Sequence, residues 1–465
     1  MVVEYFEQDI IKITRIRLEN YKNVSYGVMD ISDLKESEEG KGSITGIYGQ
    51  NGSGKTSVIS AISLVKSLFE GESLPEDVGE YIESGKSRAL IEVEMYLGEK
   101  EHDGGYLVRY VCIIAKDETS AFIEEESVKY RCISKGEGGK GREFNLVNSR
   151  YDKNDLSPKY RHSEVARLYK SKVDLLVGKK MSHERNRSFI FSNELIALLD
   201  EKREMVPEEF CILRRLRFFA KTCLFIIDNK KIALSDANVM LPIAFKQYKD
   251  GKTSVFGQIP IALNKPSELE VSAMKQTHGI LEASNKVLKE IIPGLSIEIV
   301  ELGRKMSETG KEMVMFELMS CRGEVKIPIR YESDGIKKIV AVLHMLIALY
   351  NSETITVLID ELDAGIFEYL LGEILQIVEE KSKGQLIFTS HNLRPLEILD
   401  KNNLIFTTVN PNNRYIKLKN GRPNNNLRDT YYRDILLGGQ SEEIYLTTNS
   451  AKISRAFRKA GEKEL

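Results

Sequence analysis

A short apolar run, Ser43–Tyr48, ends on a glycine, and the octet Gly49–Thr56 (GQNGSGKT) then leads into a stretch with helical apolar spacing. The octet fits G-x-x-x-x-G-K-[ST], a pattern that functions only between a strand and a helix of an α/β core. Its glycines let the backbone curl, so that N–H groups along Gly49, Gln50, Asn51, Gly52, Ser53, Gly54, Lys55, Thr56 and Ser57 point inward at phosphate oxygens. The helix from Lys55 adds the partial positive charge of its N-terminus, and Val58, Ile59, Ile62, Leu64, Val65 and Leu68 give it a buried stripe. Lys55 is placed to neutralise β- and γ-phosphates and the Thr56 hydroxyl to ligate Mg²⁺. The expected ligands are ATP and Mg²⁺.

A second apolar run, Ile355–Ile359, ends in Asp360-Glu361. Alone, this reads equally well as an acidic turn after a buried strand. Paired with an upstream phosphate loop, it supplies Asp360 to hold Mg²⁺ through its water shell and Glu361 to orient and deprotonate a water. About thirty residues further on, the strand Gln385–Thr389 runs into Ser390-His391-Asn392, where His391 can hydrogen-bond a γ-phosphate. His344, inside the apolar helix Ile336–Tyr350, reads instead as a core residue. The catalytic candidates are therefore Lys55, Glu361 and His391, with Thr56 and Asp360 as the metal pair.

At 465 residues the chain is too long for one compact core. Residues 1–150 read as the first half of an ATPase core with an antiparallel β region over Ala89–Leu97, Tyr106–Ile114 and Ala121–Ser134. Residues 151–294 read as a mainly helical insertion, and residues 295–465 as the second half of the core with a C-terminal tail. Within that tail, Asn424–Gly439 reads as a closing strand-and-turn element or, as the alternative, a docking surface. There is no internal repeat and no sustained heptad pattern, so a coiled-coil arm is not expected.

With 42% hydrophobic and 29% charged residues, the composition is that of an ordered globular protein. The formal net charge of −2 gives no global attraction to nucleic acid, so any such contact needs a local patch. One exists: nine Lys/Arg between Lys159 and Arg187 face only Glu164, Asp174 and Glu184. It reads as a solvated helical face or as a nucleic-acid contact. The five scattered cysteines suit buried thiols in a reducing compartment. No leader and no membrane span are evident, which points to the cytoplasm.

Four elements stand in order: GQNGSGKT, YESDGIKK (Tyr331–Lys338), VLIDELD (Val357–Asp363) and FTSHN (Phe388–Asn392). Together with the opening ITRIRLENYKN, they resemble the ABC-type ATPase heads of the OLD, RecF and SMC-like group. The likeness is nearest to Toprim-less OLD-like ATPases of bacterial anti-phage systems such as PARIS or Septu/retron. It covers roughly residues 11–135 and 295–410.

The resemblance implies an ABC-ATPase head of the α/β phosphate-loop class. It also implies that Ser333, Asp334 and Gly335 form a signature loop completing the ATP site of a second copy. Alone, Ser333 would read as an ordinary helix cap. Lys337 or Lys338 is either a cation offered to the partner's phosphates or simply exposed. Leu362-Asp363 matches a loop that contacts the opposite subunit, and the Gln that couples the Mg²⁺ site to the insertion is not identifiable. The residues after His391 hold no D-x-D pair, so a Toprim nuclease in this polypeptide is not expected. The implied role is an ATP-sandwich homodimer that switches a separately encoded effector, expected to be a nuclease, in anti-phage defence. The alternative is a RecF-like DNA clamp.

Overall fold

Apolar residues alternate along β1 (Ile10–Tyr21), but the alternation slips by one between Ile13 and Ile16. A register shift between Ile13 and Arg15 absorbs the slip and keeps both halves facing the core. The computed structural model containing this strand describes residues 9–98, 104–118, 120–134, 141–151, 156–157, 172–201, 208–228, 240–249, 253–418, 427–437, 440, 442–446 and 448–461.

Strand β1 belongs to a seven-stranded antiparallel sheet. Its order is β2 (Val24–Asp30), β1, β4 (Arg88–Gly98), β5 (Gly104–Lys116), β6 (Ala121–Ser134), β7 (Phe144–Arg150) and β8 (Leu156–Ser157). A six-stranded sheet carries the short, doubly buried strands typical of a parallel core. Its order is β19 (Tyr415–Ile416), β18 (Leu404–Thr407), β3 (Ser43–Tyr48), β17 (Gln385–Thr389), β16 (Thr356–Ile359) and β9 (Leu224–Ile227). All pair in parallel except β19, which is antiparallel to β18.

The two sheets share one apolar core. Helix α2 (Lys55–Glu70) buries Val58, Ile59, Ile62, Val65 and Leu68 in it, together with Ile16, Ile91 and Ile387. Helix α1 (Leu34–Glu38) touches β4. The Gln385 amide adds a polar tie between the sheets, accepting from the Ile13 N–H and donating to the Ile13 carbonyl, both at 2.8 Å.

The other face of the parallel sheet packs α7 (Asp334–Asn351) and α8 (Glu368–Lys381). Helix α7 is apolar on nearly every side and is accordingly buried along most of its length. Outside it lie α6 (Val271–Ile291) and a small antiparallel sheet of β12 (Ser267–Glu270), β14 (Glu312–Arg322) and β13 (Leu295–Met306), with β15 (Val325–Pro328) paired to β14.

Residues 151–294 supply α3 (Lys172–Glu184), α4 (Asn193–Glu201), α5 (Cys211–Thr222) and α6, but they are not set apart from the core. Strand β9 closes the parallel sheet against β16, α5 packs on α2, and the hairpin β10 (Met240–Lys249)–β11 (Thr253–Ala262) lies against α7. The four-residue β9, Leu-Phe-Ile-Ile, is too short for periodicity to separate it from a helix end.

The tail departs from the expected strand and turn. After α9 (Pro395–Ile398), helix α10 (Leu427–Leu437) buries Leu427 and Tyr431 one turn apart, and the Tyr431 ring lies 5.1 Å from that of Phe406. A final helix, α11 (Ser450–Gly461), follows. Cys112, Cys223 and Cys321 are buried as expected, whereas Cys132 is exposed and Cys211 half-buried. Among the described residues, no helix is long and apolar enough to cross a membrane.

Candidate active site

Strand β3 delivers the phosphate loop at its C-terminal edge. Gly49, Gly52 and Gly54 have φ of 152°, 75° and 96°, which curls the loop. A Cβ at Gly49 would also lie 1.7 Å from Thr407 Oγ1, so this position admits only glycine. Ser53 braces the loop by donating to the Gln50 carbonyl at 2.6 Å and by bonding the Thr407 hydroxyl. The Tyr415 hydroxyl donates to the Gly54 carbonyl at 2.8 Å. Gln50 accepts from the Leu446 N–H at 3.1 Å, so the C-terminal tail touches the loop.

Lys55 opens α2, nearly buried, and donates to the Gly49 carbonyl at 2.7 Å and the Gln50 carbonyl at 3.1 Å. Burial pulls its pKa below the ordinary lysine value, while Asp360, Glu361 and Asp363 pull the other way.

The acidic pair sits one strand away, since β17 lies between β3 and β16. Asp360 is fully buried, and its Oδ1 accepts from the Thr389 hydroxyl at 2.5 Å and the Thr56 hydroxyl at 3.3 Å. Its Oδ2 is buried with no hydrogen-bond partner. Burial pushes this carboxyl up, against the two hydroxyls.

Glu361 has φ of 48°, a left-handed conformation that costs a non-glycine residue roughly 1–2 kcal/mol. It is held there at both peptide groups. Its N–H donates to Thr389 Oγ1 at 2.7 Å, and its carbonyl accepts from Lys338. Such strain, fixed from two sides, is typical of working positions.

Asp363 Oδ2 accepts the N–H groups of His391, at 3.1 Å, and Asn392, at 2.9 Å, and so fixes the loop after β17. Burial first, and the Lys55 charge second, hold the His391 pKa below the usual histidine value.

Asn51, Gly52, Gly54, Lys55, Thr56, Ser57, Glu361 and His391 line one cavity of about 480 Å³ with Asn23. Gly49, Gln50 and Ser53 shape the loop behind it, and Asp360 reaches it through Thr56. The loop–metal–base–histidine set expected from the sequence is thus gathered in one place.

Ser333, Asp334, Gly335 and Lys337 are not part of this lining. Ser333 caps α7, accepting from the Ile336 N–H at 3.4 Å, and both Ser333 and Asp334 are exposed. Gly335 lies so near the turn after Glu361 that a Cβ would come within 1.9 Å of the Gly365 carbonyl oxygen. Neither lysine after it is exposed. Lys337 pairs with Asp334 at 2.7 Å, and Lys338 reaches the Glu361 carbonyl.

Three contributors carried no sequence signal of their own. Asn23, in the turn after β1, accepts from the Ser57 hydroxyl at 2.9 Å and donates to the Gly52 carbonyl. Thr389 links Asp360 to Glu361. The carbonyl of Ile227, the last residue of β9, accepts the Asp360 N–H at 2.9 Å. The Asn23 position was visible only as part of the Asn20–Asn23 turn, where Asn20 and Lys22 have positive φ.

The residues fit Mg²⁺. The cation takes a carboxylate, a hydroxyl, waters and substrate phosphates more readily than an all-protein cage. Thr56 Oγ1 and the unpartnered Asp360 Oδ2 are such donors. Among the described residues, no cluster of three or more His, Cys, Asp or Glu forms a metal cage.

No protein-family model matches this sequence, and no curated relative is found for it. Among solved structures, a Smc head bound to the C-terminal winged-helix domain of ScpA is similar at 14% identity and a TM-score of 0.44, over 87% of this chain and 97% of that one. The SMC head domain from Thermotoga maritima is 13% identical with a TM-score of 0.34, covering 88% and 99%. The recombination mediator protein RecF with ATP is 12% identical with a TM-score of 0.33, covering 82% and 94%. At this level of similarity, the chemistry has to be read from the site itself.

Proposed function

We propose that this chain is an ATPase whose site is completed by a second copy of itself. One observation carries the reading. Lys55, Thr56, Glu361 and His391 line a single cavity, with Asp360 behind Thr56, while the capped helix start at Ser333–Gly335 stands outside it and is exposed at Ser333 and Asp334.

Phosphates enter the curl of Gly49–Thr56, where backbone N–H groups and Lys55 take up their charge. Thr56 and Asp360 would hold Mg²⁺, which when bound would supply further neutralisation of the phosphate oxygens. Glu361 accepts a proton from the attacking water, and His391, largely neutral near pH 7, offers a hydrogen bond toward the γ-phosphate. Ser333 and the first N–H groups of α7 in a second chain meet the same phosphate from the far side.

The test is Mg·ATP binding, turnover and dimerisation in Glu361→Gln and Ser333→Arg. Glu361→Gln keeps ATP bound and accumulates dimers. Ser333→Arg binds ATP as a monomer but does not turn it over. Hydrolysis by Ser333→Arg at the wild-type rate would refute the composite site.

The motif resemblance supports extending this proposal to a switch. Closing and opening of the pair governs a separately encoded effector, a nuclease, in bacterial anti-phage defence. Affinity capture with Glu361→Gln tests it, and the absence of any stoichiometric partner from the native source removes the effector.

The DNA-clamp alternative depends on the basic stretch. There Lys179 is buried and donates to the Arg150 carbonyl at 2.6 Å, and Lys180 lies 3.9 Å from Glu184. Lys159, Arg161, Arg167 and Lys170 lie outside the described residues. Duplex binding that weakens on reversing Lys180 and Arg185 would favour the clamp.

A further inference from the structure

Helix α11 is amphipathic, and none of its residues is buried. Ile453, Ala456, Phe457 and Ala460 fall at i, i+3, i+4 and i+7 and form one apolar face, with Phe457 77% and Ile453 45% exposed. Lys452 and Lys459 border one side of that face, Arg455 and Arg458 lie across the helix from it, and the helix has no acidic residue. An exposed Phe on a helix with this pattern is the signature of a segment that docks in a groove.

A groove of matching chemistry exists on the same chain. The C-terminal halves of α6 and α7 and most of the length of α8 enclose a cavity of about 780 Å³. Ile291, Ile347, Tyr350, Ile374 and Ile377 line it, with Tyr350 36% and Ile377 50% exposed. Its rim carries Glu290, Glu373 and Glu380, all exposed, and no lysine or arginine is among the lining residues. The basic flank of α11 and the acidic rim are complementary in sign, as are the two apolar strips in character.

The two features lie at opposite edges of the parallel sheet. Helix α11 follows Leu446, whose N–H is held by Gln50 of the phosphate loop, and only residues 447–449 intervene. The four Cα–Cα steps from Leu446 to Ser450 reach at most roughly 14 Å. The groove takes the last turns of α7, whose first turn abuts Gly365 beside the phosphate edge and whose far end leads into the start of β16. A helix of 18 residues is about 27 Å long, so the part of the groove formed by the last turns of α7 is remote from the point where α11 is tethered.

We propose that α11 of one copy docks in the α6–α7–α8 groove of a second copy, with Phe457 and Ile453 on Ile347, Ile374 and Ile377, and with Lys452 and Lys459 against the acidic rim. The contact is separate from any nucleotide-dependent pairing and forms without ATP.

Sedimentation velocity of the full chain without nucleotide, over about 1–100 μM, tests it. The wild type associates. Phe457→Asp and Ile377→Asp, both at exposed positions that leave the core intact, each raise the association midpoint about tenfold or more. An equimolar mixture of the two variants recovers part of the association, because one retains the groove and the other the helix. A wild type that stays monomeric, a Phe457→Asp variant that associates normally, or a mixture that does not associate each overturns the proposal. Monomers whose Phe457 crosslinks to their own groove overturn it as well.

Discussion

Thr389 is the side chain whose removal most directly tests how Glu361 is held. Its hydroxyl donates to Asp360 Oδ1 at 2.5 Å and accepts the Glu361 N–H at 2.7 Å, with no exposed surface of its own. Thr389→Val keeps the shape and removes both bonds. A buried polar group left unpaired costs about 1–3 kcal/mol. Asp360 keeps Thr56 as a donor, and Glu361 is only half-buried, so water replaces part of the loss. The expected destabilisation is therefore about 2 kcal/mol, a Tm lower by a few degrees.

The larger effect is catalytic. The left-handed backbone at Glu361 loses one of its two restraints, and displacement of a reacting group by about 1 Å costs about 100-fold. Turnover should fall about 10- to 100-fold, while ATP affinity, set by the loop on β3, changes little. Steady-state ATPase assays and a nucleotide titration separate the two, and Thr389→Ser should recover turnover. If Thr389→Val turns over ATP within about twofold of wild type, Glu361 is not positioned in this way.

Gly335→Ala forces a methyl against the Gly365 carbonyl and should lower Tm and turnover together; overpacking of this kind costs about 1–3 kcal/mol, and an unchanged melt would contradict the contact. Asp360→Asn removes a buried charge while keeping an acceptor for Thr56 and Thr389. The nucleotide-free protein should melt higher but lose Mg²⁺-dependent stabilisation by ATP, which a thermal-shift titration reads. His391 has a folded-state pKa below its unfolded value, so its contribution to stability is complete above about pH 6.5 and is lost as pH falls through that value toward the folded one. Urea midpoints between about pH 8 and about pH 5 should fall less steeply for His391→Gln than for wild type, and parallel curves would exclude the linkage.

What was legible in the sequence was local and contiguous. GQNGSGKT, the apolar run into Asp360-Glu361 and the strand into His391 each carry their own context, and the structure brings the three together. What was not legible depends on partners far along the chain. Thr389 looks like any strand residue until Asp360 lies beside it. Lys337 and Lys338 follow a helix cap, where exposure is the ordinary expectation. Their stems instead lie along an apolar helix while their amines reach Asp334 and the Glu361 carbonyl. The bulge at Ile13–Arg15 and the membership of β9 in the core sheet are likewise tertiary outcomes. The tail misled because Leu427 and Tyr431, four residues apart, are too sparse a stripe to announce a helix.

The contact of Gly335 with Gly365, reinforced by Lys338 on Glu361, joins the helix start offered outward and the strand end serving the chain's own cavity into one rigid piece. In the proposed pair of such chains, this joint would couple the two nucleotides mechanically to each other. A change in geometry at one is felt at the other without any domain having to swing. The consequence is dominance: a single defective subunit in a mixed pair should silence both sites, so activity in titrations with an inactive copy should fall with the square of the active fraction.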